Sequence, residues 1–145
     1  MLYLPDANIL IYAKMSGMDE HFAAFDWLEA TLADPNSTVL LCETVILAFL
    51  RITTNSKVFA PPLGSDQAGN FVSGLLDHPT VQFFRPSAEH FSEVAGSMKK
   101  YKFHGNLTMD AHLAAVALTT GATLVTRDSD FEKISYLSTL DPTAN

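Results

Sequence analysis

The sequence predicts an α/β fold: a single domain, residues 1–145, with a central parallel sheet flanked by helices on both faces. Short β-rich apolar runs alternate with longer segments of helical period, the pattern of a parallel sheet whose crossovers are helices. The chain has 145 residues, 48% hydrophobic and 17% charged, enough for one full core and too short for two. Acids recur just after the apolar runs, at the carboxyl ends of strands where open parallel sheets bind ligands.

Taken in order, "LYL" at 2–4 reads as the first strand, followed by helices near 8–14 and 20–32. "ADPNS" is a turn cluster, since Pro35 disfavours helical backbone at Asp34. A second strand at 38–41 leads into a helix at 43–54 that is apolar almost all round, with Val45, Ile46, Leu47, Ala48, Phe49, Leu50 and Ile52. Such a helix is expected to be buried on most sides, in the core or against another protein. The loop "FAPPLGSD", stiffened by Pro61 and Pro62, leads to a helix at 65–76 and a third strand at 81–84. The helix at 87–101 ends in "KKYK", where lysines complement the helix dipole. The helix at 109–119 is expected to have Thr108 as its N-cap and Gly121 as its C-terminal cap, and a last strand follows at 123–126. No repeat, heptad array or low-complexity segment interrupts this order.

Nine basic against sixteen acidic residues give a net charge of -7, the wrong sign for holding nucleic acid by bulk electrostatics. Any such contact must be local, and the candidates are Arg51 and Lys57 flanking the apolar helix and Arg127 beside the last strand. The apolar run Val45 to Leu50, which no other exceeds, is far too short to span a membrane. Pro5 and Asp6 break the N-terminal apolar run and no basic residue precedes it, so no signal peptide is expected there. One cysteine, Cys42, allows no internal disulfide and no multi-cysteine zinc site; a cytoplasmic protein with no membrane association is expected.

Asp6 follows the first strand, Glu43 the second and Asp128 the last, while Asp110 lies in the first turn of the final helix. One helix and one strand return the chain to the same sheet edge, so Asp110 and Asp128 can meet. Singly, each acid has a plain explanation as a dipole partner or cap. Together they do not: two like charges about 4 Å apart repel by about 4 kcal/mol at an effective dielectric of about 20, so the cluster must bind protons or a cation. An all-oxygen donor set suits Mg2+ or Mn2+ better than Zn2+, and the five histidines show no metal-ligand spacing; His112, two residues from Asp110, reads as a packing residue. This chemistry suits phosphodiester hydrolysis.

"LPDANILIYA", "FLRITTN" and "TMDAHLAAVALTTGATLVTRDSDF" resemble PIN-domain proteins, specifically VapC-type toxins of toxin-antitoxin systems, over nearly the whole chain. The resemblance implies a PIN-like domain that is a Mg2+-dependent endoribonuclease, with Mn2+ substituting, acting on structured RNA such as tRNA or a ribosomal RNA loop. It implies metal ligation by Asp6, Asp110, Asp128 and Asp130, and site-shaping hydrogen bonds from Asn8 and Thr126. Glu43 departs from the pattern, because many members carry their glutamate about one turn later, near Ile46; Glu43 is expected to act from its own position, completing a catalytic set with Asp6, Asp110 and Asp128. Pro5 is also less usual than an aliphatic residue. A VapB-type antitoxin is the implied partner, laying an amphipathic segment on the apolar helix and the "FAPPLG" loop and an arginine into the acidic pocket, and a homodimer is a further implied assembly. Two alternatives stand beside this. A haloacid-dehalogenase-like phosphatase needs a second acid where Asn8 stands, and a noncatalytic PIN-like module that binds RNA or protein has no evident use for a costly acid cluster.

Overall fold

The computed structural model describes residues 1–144 and contains five strands and six α-helices. In chain order these are β1 (Leu2–Pro5), α1 (Ala7–Lys14), α2 (His21–Ala33), β2 (Thr38–Cys42), α3 (Glu43–Thr53), α4 (Ser65–Asp77), β3 (Val81–Phe84), α5 (Ala88–Tyr101), α6 (Thr108–Thr120), β4 (Thr123–Val125) and β5 (Thr139–Leu140). The sheet runs β3-β2-β1-β4-β5 with every neighbouring pair parallel. Right-handed crossovers that step one way from β1 to β3 and the other way from β3 to β5 place their helices on opposite faces. Accordingly α1 to α4 pack as one layer and α5 with α6 as the other.

β1 and β4 are adjacent at the point where the strand order reverses, and that crevice is where doubly wound sheets bind ligands. Pro5 is accommodated in β1 opposite Val125, and the next residue, Asp6, still donates its N–H to Val125 O at 2.9 Å, so the strand end keeps its register. Leu4, Val39, Leu41, Leu124 and Val125 fill the centre of the sheet, closed on one side by Ile9, Leu10, Val45 and Phe49 and on the other by Val116. Phe49 stacks on Phe71 of α4 with ring centroids 4.9 Å apart.

The expected elements form, with three differences. β5 was not expected: two residues are too few for any periodicity, and it exists through Leu124 N–H to Ser138 O and Thr126 N–H to Leu140 O, each 2.9 Å. Thr108 is the first residue of α6, not its N-cap, because a 3-10 turn over Gly105–Leu107 runs directly into the helix. Apolar as it is, α3 buries only Val45, Phe49 and Thr53 fully and leaves Leu47 55% exposed, so part of its surface is uncovered in the single chain. Gly121 ends α6 as expected, at φ 75, a left-handed conformation costly for residues with a Cβ.

Candidate active site

The carboxyl ends of β1 and β4, the starts of α1 and α6 and one face of α3 from Thr44 to Arg51 line a cavity of about 220 Å³. Its polar lining is Asp6, Asn8, Thr44, Arg51, Asp110 and Asp128.

Asp6 is buried because it leaves a central strand and caps α1, accepting the Ile9 N–H on Oδ1 at 3.1 Å. Its Oδ2 accepts a hydrogen bond from Thr126 Oγ1. Thr126 Oγ1 in turn accepts the Asp128 N–H at 3.0 Å, and Asp128 Oδ1 accepts the Asp130 N–H at 2.9 Å, capping the short 3-10 helix Ser129–Lys133. Burial pushes the Asp6 carboxyl above its ordinary pKa, and the bonds from Thr126, Ile9 and Asn8 only partly offset this. Asn8 acts on Asp6 through its backbone N–H; its exposed side chain faces the cavity.

Asp110 projects from the first turn of α6, and its pKa is pushed up to about 6, by partial burial first and then by the charges of Asp128, Asp130 and Asp6. Oxygens of Asp110, Asp128 and Asp130 lie within 4.8 Å of one another. Three carboxylates that close form a donor set for a hard divalent cation, with Lys133 Nζ resting 3.7 Å from Asp130 Oδ1 as their one basic neighbour among the described ion pairs. The residues therefore fit the expected ion type.

Glu43 is not brought to this cluster. The face of α3 that lines the cavity carries Thr44, Ala48 and Arg51, four and three residues apart, whereas Glu43 is exposed and lines an adjoining, mostly apolar cavity with Phe84, Phe91 and Met109. Ile46 is not on the cavity face either, so the one-turn relation between positions 43 and 46 leads to the wrong side of the helix. Of the three basic candidates, Arg51 lines the acidic cavity. Arg127 is paired with Glu20, and exposed Lys57 sits in the turn after α3, its N–H bonded to Asn55 Oδ1 at 2.9 Å.

Thr44 is the polar lining residue that sequence reasoning missed; its signal was the helical spacing to Ala48 and Arg51. Also unforeseen is a buried pair, His90 and His112, with His112 bonded onward to Thr44. Burial lowers both imidazole pKa values, and for His112 the neighbouring His90 adds to the effect. His112 is thus a packed residue, as expected, but also a hydrogen-bonding one.

Residues 3–136 match the PIN domain family model. Among curated relatives, Ribonuclease VapC33 of Mycobacterium tuberculosis is 30% identical over 141 residues, covering 97% of this chain and 98% of that protein. VapC ribonuclease Mb2897 of Mycobacterium bovis is 33% identical over 132 residues, covering 91% and 89%. Among solved structures, VapBC2 from Rickettsia felis, bound to a DNA fragment from its promoter, superposes with a TM-score of 0.71 at 21% identity over 97% of this chain and 98% of that one. Mycobacterium tuberculosis VapC20, a sarcin-ricin loop cleaving toxin, gives a TM-score of 0.72 at 15% identity over 93% and 96%. These likenesses span the sheet and both helical layers.

Proposed function

The chain belongs to the PIN-domain family, and on that premise we propose that it is an endoribonuclease, the toxin of a VapBC-type toxin-antitoxin pair, dependent on Mg2+ or Mn2+ and directed at structured RNA such as tRNA or ribosomal RNA. The observation that carries the reading is the convergence of Asp6, Asp110, Asp128 and Asp130 at the strand-order reversal. The ribonuclease names of relatives at 30% and 33% identity support the reaction class.

Asp110, Asp128 and Asp130 would hold the cation, with Asp6 completing the acidic wall. When bound, such an ion neutralises phosphate oxygens and lowers the pKa of water. The chain's own residues do the rest. Thr126 and the Ile9 N–H fix both oxygens of Asp6, so its orientation is set before substrate arrives. Arg51 offers the cavity a positive charge for a phosphodiester, and an RNA strand is held by these few local contacts because the net charge of -7 opposes any broad one.

The antitoxin would cover apolar surface that the single chain leaves open. Leu47 on α3 is 55% exposed, Phe22 and Phe25 on α2 are 76% and 42% exposed, and the loop residues Phe59 and Leu63 with Met15 and Met18 wall a cavity of about 350 Å³. An amphipathic helix seated there matches helix-in-groove recognition. Membrane association has no support in the helices: among the described residues none is long and apolar enough to cross a bilayer.

The test is RNA-end sequencing of total cellular RNA incubated with the protein and Mg2+ or Mn2+, against an Asp110→Asn control. New ends confined to the unsubstituted protein are expected, and they name the target. Identical end profiles in both samples overturn the ribonuclease reading. They would favour the noncatalytic module, for which the displacement of Glu43 from the cavity is the supporting observation.

A further inference from the structure

A hydrogen-bond chain links α5, α6 and α3 and ends at Thr44, which stands between the acidic cavity and the adjoining apolar one and lines both. His90 Nε2 lies 2.7 Å from His112 Nδ1, and His112 Nε2 lies 2.9 Å from Thr44 Oγ1. Both rings are buried, at 5% and 8% exposure, and His90 Nδ1 is buried with no partner among the described residues. That orphaned nitrogen sets the direction of the chain. A buried N–H without an acceptor is costlier and rarer than an unpaired acceptor, so the neutral His90 ring carries its hydrogen on Nε2 and donates it to His112 Nδ1. His112 then carries its hydrogen on Nε2 and donates to Thr44 Oγ1.

Thr44 therefore receives a hydrogen bond from behind and has its own hydrogen to place. Its remaining protein contact is Cys42 Sγ at 3.4 Å, a weak acceptor, whereas its residue faces the cavity alongside Asp6, Asp110 and Arg51. A hydroxyl that accepts from an N–H is a better donor, because successive hydrogen bonds polarise one another. We infer that Thr44 is a substrate-contacting residue whose hydroxyl donates to a phosphate oxygen of the RNA strand, and that His112 and His90 are positioning residues that hold its direction. This rests on the ribonuclease reading and extends it to residues outside the carboxylate set. Asp6, Asp110 and Asp128 repel phosphate, so a neutral donor on α3, the helix that also carries Arg51, complements that arginine in fixing the strand.

The experiment measures cleavage kinetics on one defined RNA, Mn2+ affinity and thermal unfolding for Thr44→Val, Thr44→Ala, Thr44→Ser, His112→Leu, His112→Gln and the Thr44→Val/His112→Leu double variant. Loss of the hydroxyl is expected to lower kcat/KM by about 10- to 100-fold, the range for a hydrogen bond to a charged group. Mn2+ affinity should stay within about 2-fold, as no ligand has been removed. Thr44→Ser should recover most of the loss. His112→Gln, whose amide nitrogen can reach the position of Nε2, should exceed His112→Leu. In the double variant the loss should match Thr44→Val alone, because His112 acts through Thr44.

Cleavage by folded Thr44→Val and Thr44→Ala at the unsubstituted rate overturns the inference and leaves the ribonuclease reading intact. A matching loss of Mn2+ affinity overturns the substrate contact, and fully additive losses in the double variant overturn the positioning role. Absence of cleavage by the unsubstituted protein overturns the ribonuclease reading first and this inference with it.

Discussion

Thr126 and Asp6, 120 residues apart in sequence, are joined by a buried hydrogen bond from the threonine hydroxyl to the carboxylate. The same hydroxyl oxygen accepts the Asp128 N–H, so one side chain couples the end of β1 to the acid-bearing turn after β4. The buried charge on Asp6 depends on this coupling.

Replacing Thr126 by valine keeps the shape and removes the donor. Asp6 would then be buried with one strong partner fewer, and urea unfolding at pH 7 should show a loss of about 1–3 kcal/mol. Thr126→Ser should restore most of it, and Asp6→Asn in the Thr126→Val background should lessen the penalty because no buried charge remains.

In the metal-free protein the pH dependence of stability should be unusual for an acidic chain. The Asp110 pKa is raised from 3.8 to about 6 in the folded state, so between those values the folded protein binds more protons than the unfolded one. Its contribution is fully present below the unfolded pKa and is lost as pH rises through about 6. Asp6 is shifted the same way. Melting in EDTA should therefore give a temperature that falls from pH 5 to pH 7, and Asp110→Asn should flatten that decline. A melting temperature rising steadily over the range would contradict the assignment.

Metal affinity separates the acids inside the cavity from the one outside. Asp128→Asn and Asp110→Asn should each weaken Mn2+ binding at least about 10-fold, whereas Glu43→Gln should change it by less than about 2-fold. Calorimetric titration at pH 7 reads both. A large loss in Glu43→Gln would mean that the side chain swings from the adjoining cavity to the cluster.

Arg51 should matter to RNA and not to metal. Arg51→Ala is expected to lower kcat/KM about 10-fold with Mn2+ affinity preserved, while Lys57→Ala stays within about 2-fold because Lys57 lies away from the cavity. Equal losses for the two would indicate a diffuse basic contact in place of a local one.

The acids at strand ends were legible because a parallel sheet fixes where its strands terminate. Asp6 and Asp128 needed only that rule, and Asp110 needed only the return of α6 toward β4. Azimuth around a helix was not legible in the same way. Successive helical residues differ by about 100°, so adjacency to β2 places Glu43 at the right height and Thr44 on the right side. The His90–His112 pair had no local signal, since its partners are 22 residues apart on two helices and meet only through packing. The exposure of Leu47 had none either: a helix apolar almost all round does not disclose which of its sides another helix will cover.

The placement of the acids also bears on when, during synthesis, the site comes into being. Asp6 is synthesised before its neighbours in the cavity, Asp110 and Asp128, and β4 must dock beside β1 before they converge. Until then Asp6 has only its local partner, the Ile9 N–H that it caps. The acidic cavity is complete only once β4 is laid beside β1. On the ribonuclease reading proposed above, that ordering leaves any chain that stops short of β4 without the assembled acidic site.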